Sequence, residues 1–182
     1  TLQGSARADY LIDGKAPKAG QMFYAPKQAE ALTQLGLYGR DAFYEGDIAE
    51  DMVACLQAAG GTHTLDDFAN TRCEYTVPIS GHYKDLEIVE HPPNGQGATA
   101  ILMANILAQF DIAALDPFGA QRAHLEAEAA KLAYDARNRF IADQSPRLDH
   151  MLSMETAQGL AALIDPKKAM ADPTAISEAV HK

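Results

Sequence analysis

HPPNGQGATAILMANILAQF, residues 91–110, sets two prolines, an Asn-Gly pair and a further glycine directly before a long apolar run. Three readings compete: a loop that holds substrate, a phosphate cradle, or a tight turn into a buried helix. A glycine-rich turn before a helix can aim backbone N–H groups at an anion. Here Gly95-Gln96-Gly97 lacks the third glycine of the dinucleotide motif and the Gly-Lys-Ser/Thr end of a P-loop. Pro92-Pro93 also opposes the usual strand-to-glycine approach. The preferred reading is a structural turn into a helix from about Gln96 to Phe110, burying Ile101, Leu102, Ile106, Leu107 and Phe110. Full burial of such side chains contributes roughly 1.5–3 kcal/mol each.

Working outward, the preceding stretch EYTVPISGHYKDLEIVEH has Tyr, Val, Ile and Thr at strand-like alternation. It predicts two strands, with Ser80-Gly81 and Lys84-Asp85 as candidate turns. Upstream of it, helical spacing runs from Lys27 to Tyr38 through Ala29, Leu32, Leu35 and Leu37, with Gly39 placed to end it. Asp47 with Glu50 suggests a capping box for a second helix, and Thr64 with Asp67 opens a short third one. Downstream, a helix is expected from Gly119 to Ala142, and Ser153 and Thr156 are both cap candidates for another. The stretch after Pro166 reads as charged and irregular. The whole divides into an extended lead-in (1–26), a helical part (27–73), strands (74–93), a second helical part (96–165) and a C-terminal linker (166–182). It is read as one region of α+β class, helix-rich with a short strand pair, because βαβ alternation is absent.

Composition narrows the function classes. Of 182 residues, 47% are hydrophobic and 22% charged, a balance that argues against disorder. The formal charge is −10, from 15 basic and 25 acidic residues, and no Lys/Arg cluster offers phosphate neutralisation. Nucleic-acid binding is therefore not expected. No apolar run reaches the roughly 18 residues of a membrane span. Cys55 and Cys73 are expected to be small buried apolar groups. Two such residues are compatible with cytoplasmic and with periplasmic or secreted placement alike.

No residue set announces a metal or cofactor. The six histidines show no i, i+4 pair and no HExxH. His124 and Glu128 lie one helical turn apart, read as a surface hydrogen bond rather than a ligand pair. There is no G-x-S-x-G elbow. Thr1 could act as nucleophile with its own amine as base. The polar, glycine-rich sequence behind it does not alternate like the buried strand such a nucleophile needs, so that reading is set aside.

Several segments in order resemble one family. They are PKQAEAL (26–32), GRDAFYEGDIA (39–49), GGTHTLDDF (60–68), PISGHY (78–83) with the strand Leu86–Glu90, PPNGQG (92–97), and EAAKLAY (128–134) followed by Arg137 and Asp143. From about residue 15 onward the chain is similar to the C-terminal half of the large subunit of the γ-glutamyltransferase (γ-glutamyltranspeptidase) family. Two departures stand out: the 92–97 loop, serine-rich in many members, and Ala136, where the family often has Asp before the arginine.

The resemblance implies part of an N-terminal-nucleophile (Ntn) hydrolase αββα sandwich. It implies a precursor that cleaves itself, residues 166–182 leading towards the cleavage point. A small partner subunit would bear the nucleophilic threonine that attacks γ-glutamyl amides such as glutathione. On this reading no catalytic residue, metal or cofactor is assigned to these 182 residues. Asn94 and Gln96 are candidates for the substrate-site rim. An acylase of the same superfamily and a non-catalytic homologue or interaction module are the alternative readings.

Overall fold

The computed structural model describes residues 6–182, so Thr1 lies outside the described residues. Two compact units divide at Glu74 and Tyr75.

The first unit is helical: α1 (Ala6–Tyr10), α2 (Pro26–Tyr38), α3 (Asp41–Tyr44), α4 (Asp47–Ala58) and α5 (Leu65–Ala69). The lead-in is not wholly extended, since it holds α1 and a bridge between Ile12 and Lys15. Pro26 at the first position starts α2, and Gly39, at φ 70, ends it with its N–H on the Leu35 carbonyl. Thr64 and Asp67 form the expected capping box on α5. Asp47 does not cap α4. Gly46 holds that position without a side-chain bond, and Asp47 and Glu50 instead sit in the first turn, where their charge suits the helix dipole. Arg40 closes the unit internally: Nη1 donates to Asp41 and Glu45, Nη2 to the Ala69 and Thr71 carbonyls, and its guanidinium lies 4.7 Å from the Tyr44 ring centroid.

Helical periodicity here does not translate into burial. Nothing on α2 is buried, and Leu32 and Leu37 are exposed. Cys55 and Cys73 are exposed as well, against expectation. The buried stripe of α4 is Ala49 and Val53, one turn apart. Cys55, two residues beyond Val53, turns to the other side of the helix, and Cys73 lies in irregular chain after α5.

The second unit opens with a hairpin, β1 (Ile79–Tyr83) paired antiparallel with β2 (Leu86–Glu90), Tyr83 opposite Leu86. Lys84-Asp85 is the turn, with Lys84 in the left-handed region at φ 54. Ser80-Gly81 is not a turn but part of β1, and a Cβ on Gly81 would run into Ile101 Cγ2. Glycine is there because the strand passes directly over a helix.

That helix is α6 (Gly97–Leu107), apolar on every side because it has neighbours on several sides. Around it stand α7 (Ala120–Phe140), α8 (Leu148–Leu152), α9 (Met154–Ala161) and the hairpin, with α10 (Pro173–His181) against α7 and α9. Leu102 and Ile106 are fully buried with Leu132, Met151 and Leu160, while Leu107 and Phe110 sit half-buried at the margin. Ala129, Ala133 and Ala136 make α7 smooth where it meets this core. A 3₁₀ turn at Ile112–Ala114 joins α6 to α7.

Residues 91–97 are thus the junction between strand and central helix. A Cβ on Gly97 would lie 2.5 Å from Glu90 Cβ and 2.6 Å from the His91 carbonyl. Gly97→Ala should therefore destabilise the protein by about 1–3 kcal/mol through overpacking. Urea melts of the two proteins check this, and equal midpoints would mean that the loop moves aside without cost.

The chain after Pro166 is not wholly irregular. Asp172 caps α10 through the Ala175 N–H at 3.0 Å, and Pro173 takes the first turn.

Candidate functional site

Two polar arrangements in the second unit draw on residues far apart in sequence.

The first is a cleft of about 350 Å³ lined by Asn94, Gln96, Arg137, Asn138 and Ile141. The junction loop supplies Asn94 and Gln96, so both rim candidates line it. The C-terminal part of α7 supplies Arg137, whose guanidinium lies 4.9 Å from the Tyr134 ring centroid, one turn earlier on the same helix. Arg137 Nη1 donates to Gln96 Oε1 at 3.1 Å. Nε and Nη2 donate to Asn138 Oδ1 at 3.1 and 2.8 Å.

The second is a buried hub on Asp135. Its Oδ2 accepts from Ser177 Oγ at 2.6 Å and from Arg139 Nε at 2.8 Å, and its Oδ1 accepts from Thr174 Oγ1 at 2.7 Å. Arg139 continues to Glu178 Oε2 and the Thr174 carbonyl. Burial pushes the Asp135 carboxyl up, but the bonds from Ser177, Thr174 and Arg139 outweigh it and hold it below the ordinary range. Beside the hub, His181 is buried with Nε2 unbonded, 3.9 Å from Asp135, and Nδ1 3.3 Å from His150 Nε2. Phe140 packs edge-on against both imidazoles, and Arg147 donates to the His181 carbonyl.

Glu128 is a second buried carboxylate, and the reading of a surface pair with His124 is corrected. Glu128 accepts from Lys131 Nζ at 2.7 Å and from the Met170 N–H at 2.8 Å, while His124 Nε2 lies 2.8 Å from the Asp165 carbonyl. Burial raises the Glu128 carboxyl, and the two hydrogen bonds and the Lys131 charge lower it further than that, to a net position below normal. Both residues tie α7 to the chain that follows α9. Among the described residues no three His, Cys, Asp or Glu side chains gather as a metal site. Nor is any helix among them long and apolar enough to cross a membrane.

Sequence reasoning missed Asp135, Ser177 and His181. Asp135 and Arg139 have i, i+4 spacing, and Asp172-Pro173 is a helix start signal, so part of this was readable. Ala136, noted as a departure, is a core residue packed at zero exposure, and its neighbour Asp135 is one of the two buried carboxylates of this helix.

The sequence matches the gamma-glutamyltranspeptidase family over residues 2–181. It is 34% identical to the glutathione hydrolase-like YwrD proenzyme of Bacillus subtilis (strain 168), over 81% of this chain and 29% of that protein. Among solved structures, the gamma-glutamyltranspeptidase of Helicobacter pylori superposes with a TM-score of 0.73 at 24% identity, over 92% of this chain and 50% of that one. The cephalosporin acylase from Bacillus halodurans superposes at 0.71 with 28% identity, over 87% of this chain and 30% of that one. The helix-rich α+β arrangement with its strand pair is accordingly part of an Ntn-hydrolase αββα sandwich. The chain spans about 29% of the length of the YwrD relative. On the match across nearly all its residues, the chain belongs to the gamma-glutamyltranspeptidase family.

Proposed function

We propose that these 182 residues are a scaffold part of the large subunit of an enzyme that transfers or hydrolyses γ-glutamyl amides such as glutathione. The observation that carries this is the family match over residues 2–181, together with a relative named as a glutathione hydrolase-like proenzyme.

In the proposed reaction, a threonine at the N-terminus of a partner subunit attacks the γ-glutamyl carbonyl through its Oγ. Its α-amino group takes the hydroxyl proton, the C–N bond breaks, and that proton leaves with the amine. Water or an acceptor amine then attacks the acyl-enzyme ester and regenerates the threonine. Backbone N–H groups stabilise the oxyanion in both steps. The residues of this chain support that site: α6 and α7 carry the packed layer, and the Asp135 hub fixes α10 within the stretch that leads towards the proposed cleavage point. The proposed rim role of Asn94 and Gln96 places the junction loop beside the substrate.

A second reading, an acylase acting on a different side-chain amide, is favoured by the superposition on the cephalosporin acylase. Intact mass of the complete gene product after incubation tests self-cleavage. The expected result is two chains, the smaller one beginning with threonine, and a processed protein that releases p-nitroaniline from its γ-glutamyl derivative. A single uncut chain would reject the self-cleaving enzyme. A processed protein that cleaves only a glutaryl β-lactam amide would give the acylase reading.

A further inference from the structure

We infer that the cleft formed by Asn94, Gln96, Arg137 and Asn138 is a carboxylate-binding site, with Arg137 as its charged receptor. The inference goes beyond the activity proposed above and does not depend on it.

Arg40, Arg122 and Arg139 each hold a carboxylate oxygen within hydrogen-bond reach. Arg137 has none: among the described residues no Asp or Glu oxygen lies within 4.0 Å of its nitrogens. Arg72 and Arg147 also lack a carboxylate, but they are exposed and donate to backbone carbonyls. In a chain of formal charge −10, Arg137 is the one of the half-buried arginines Arg122, Arg137 and Arg139 whose partners are all neutral amides. Its charge is not compensated within the cleft.

The hydrogen-bond inventory then gives the sign of the missing ligand. A guanidinium has five N–H donors in a fixed plane. Three are used, one from Nη1 to Gln96 and one each from Nε and Nη2 to Asn138. One N–H on Nη1 and one on Nη2 remain, the number a carboxylate takes when it binds in two-pronged fashion.

The amides extend the same pattern. Because Gln96 Oε1 and Asn138 Oδ1 face the guanidinium, their NH₂ groups point elsewhere, and neither makes a hydrogen bond in the structure. Against one lone pair left on Gln96 Oε1, the unspent capacity of Gln96, Arg137 and Asn138 is mostly donors, two N–H on the guanidinium and the two NH₂ groups, which suits an anionic acceptor better than a cation. Planarity favours a carboxylate over a spherical anion, and stacking on Tyr134 with the two amide contacts fixes the plane in advance.

The carboxylate has two possible sources: a small molecule, or an Asp or Glu side chain from sequence outside these 182 residues. Both are tested on the full-length protein. Glutarate is titrated calorimetrically at constant ionic strength into wild type, Arg137→Gln and Arg137→Lys, and the wild-type crystal structure is determined. For a small-molecule ligand, Arg137→Gln weakens glutarate binding about tenfold or more. Arg137→Lys falls between the two, because it keeps the charge and loses the fork.

If all three proteins bind glutarate equally, and a side-chain carboxylate from outside residues 1–182 lies on Nη1 and Nη2 in the crystal, the site is filled by the protein itself. Equal binding with no carboxylate oxygen within hydrogen-bond distance of either nitrogen overturns the inference. The crystal arm uses wild-type protein, so a variant that fails to fold does not remove the test. Turnover is not read in either arm, so a protein without γ-glutamyl activity leaves the result interpretable.

Discussion

Asp135→Ala should release α10 from α7, at a cost of about 3 kcal/mol. Hydrogen bonds to a charged group contribute roughly 1.5–3 kcal/mol each, and the loss of those from Ser177 and Thr174 is only partly offset by what Arg139 keeps with Glu178. The carboxylate is the common acceptor for Ser177, Thr174 and Arg139, and Ser177 is fully buried with its hydroxyl pointed at it. Without it the Ser177 hydroxyl keeps only a long contact to the Thr174 carbonyl. Arg139 retains Glu178 and that same carbonyl, both at the exposed edge. Asp135→Asn should be milder, because its amide oxygen can still accept from one side while the charge is lost. Hydrogen exchange of residues 173–181 reads the effect directly, since local opening free energies appear as protection. A loss of about 3 kcal/mol is more than a hundredfold in protection. Protection within threefold of wild type would mean that apolar contacts alone hold α10 and the hub adds little.

Acidification should weaken the same region by a separate route. His181 has its pKa lowered from 6.5 to about 4, first by burial, then by the Arg139 charge, with His150 and Arg147 acting in the same direction. Asp135 opposes this from 3.9 Å without overcoming it. The unfolded chain therefore binds a proton near pH 6.5 that the folded protein refuses until about pH 4. Stability attributable to His181 is complete above pH 6.5 and declines as pH falls through that window, by about 1.4 kcal/mol per pH unit at most. The total loss by pH 4 is of order 3 kcal/mol. His150, also shifted down chiefly by burial and then by Arg147, adds to the decline in the same direction. Asp135, whose folded pKa is lowered, contributes stability that is lost only at still lower pH. Exchange of the α10 amides at pH 7.5, 6 and 5 should show the decline, and His181→Gln should flatten it. A slope unchanged in His181→Gln would assign the titration to another group.

Local signals settled much of the fold because they act within a few residues. Pro26 at the first turn of α2, Gly39 at its end, the Thr64–Asp67 box, the Lys84-Asp85 turn and Ser153 as the cap of α9 are each determined by the chemistry of adjacent residues. The buried run Ile101, Leu102 and Ile106 was legible because its length and apolarity leave it no stable place except a core. Asp172-Pro173 was equally local, yet the charges around it concealed a helix whose inner face is polar and bonded to Asp135.

What sequence could not assign was which side of each element meets another. Cys55 and Glu128 illustrate both errors: a thiol expected inside is exposed, and a carboxylate expected at the surface is buried between Lys131 and the Met170 N–H. Burial of a charge is decided by partners that arrive from distant sequence, here 42 residues away for both Glu128–Met170 and Asp135–Ser177. Sequence by itself determined the family, the helices α2, α4 to α7 and α9 with the hairpin among them, and the junction at residues 91–97. Only the tertiary structure brought Gln96 to Arg137 and α10 to Asp135, because free energy from paired charges and shared hydrogen bonds exists only once the chain has closed.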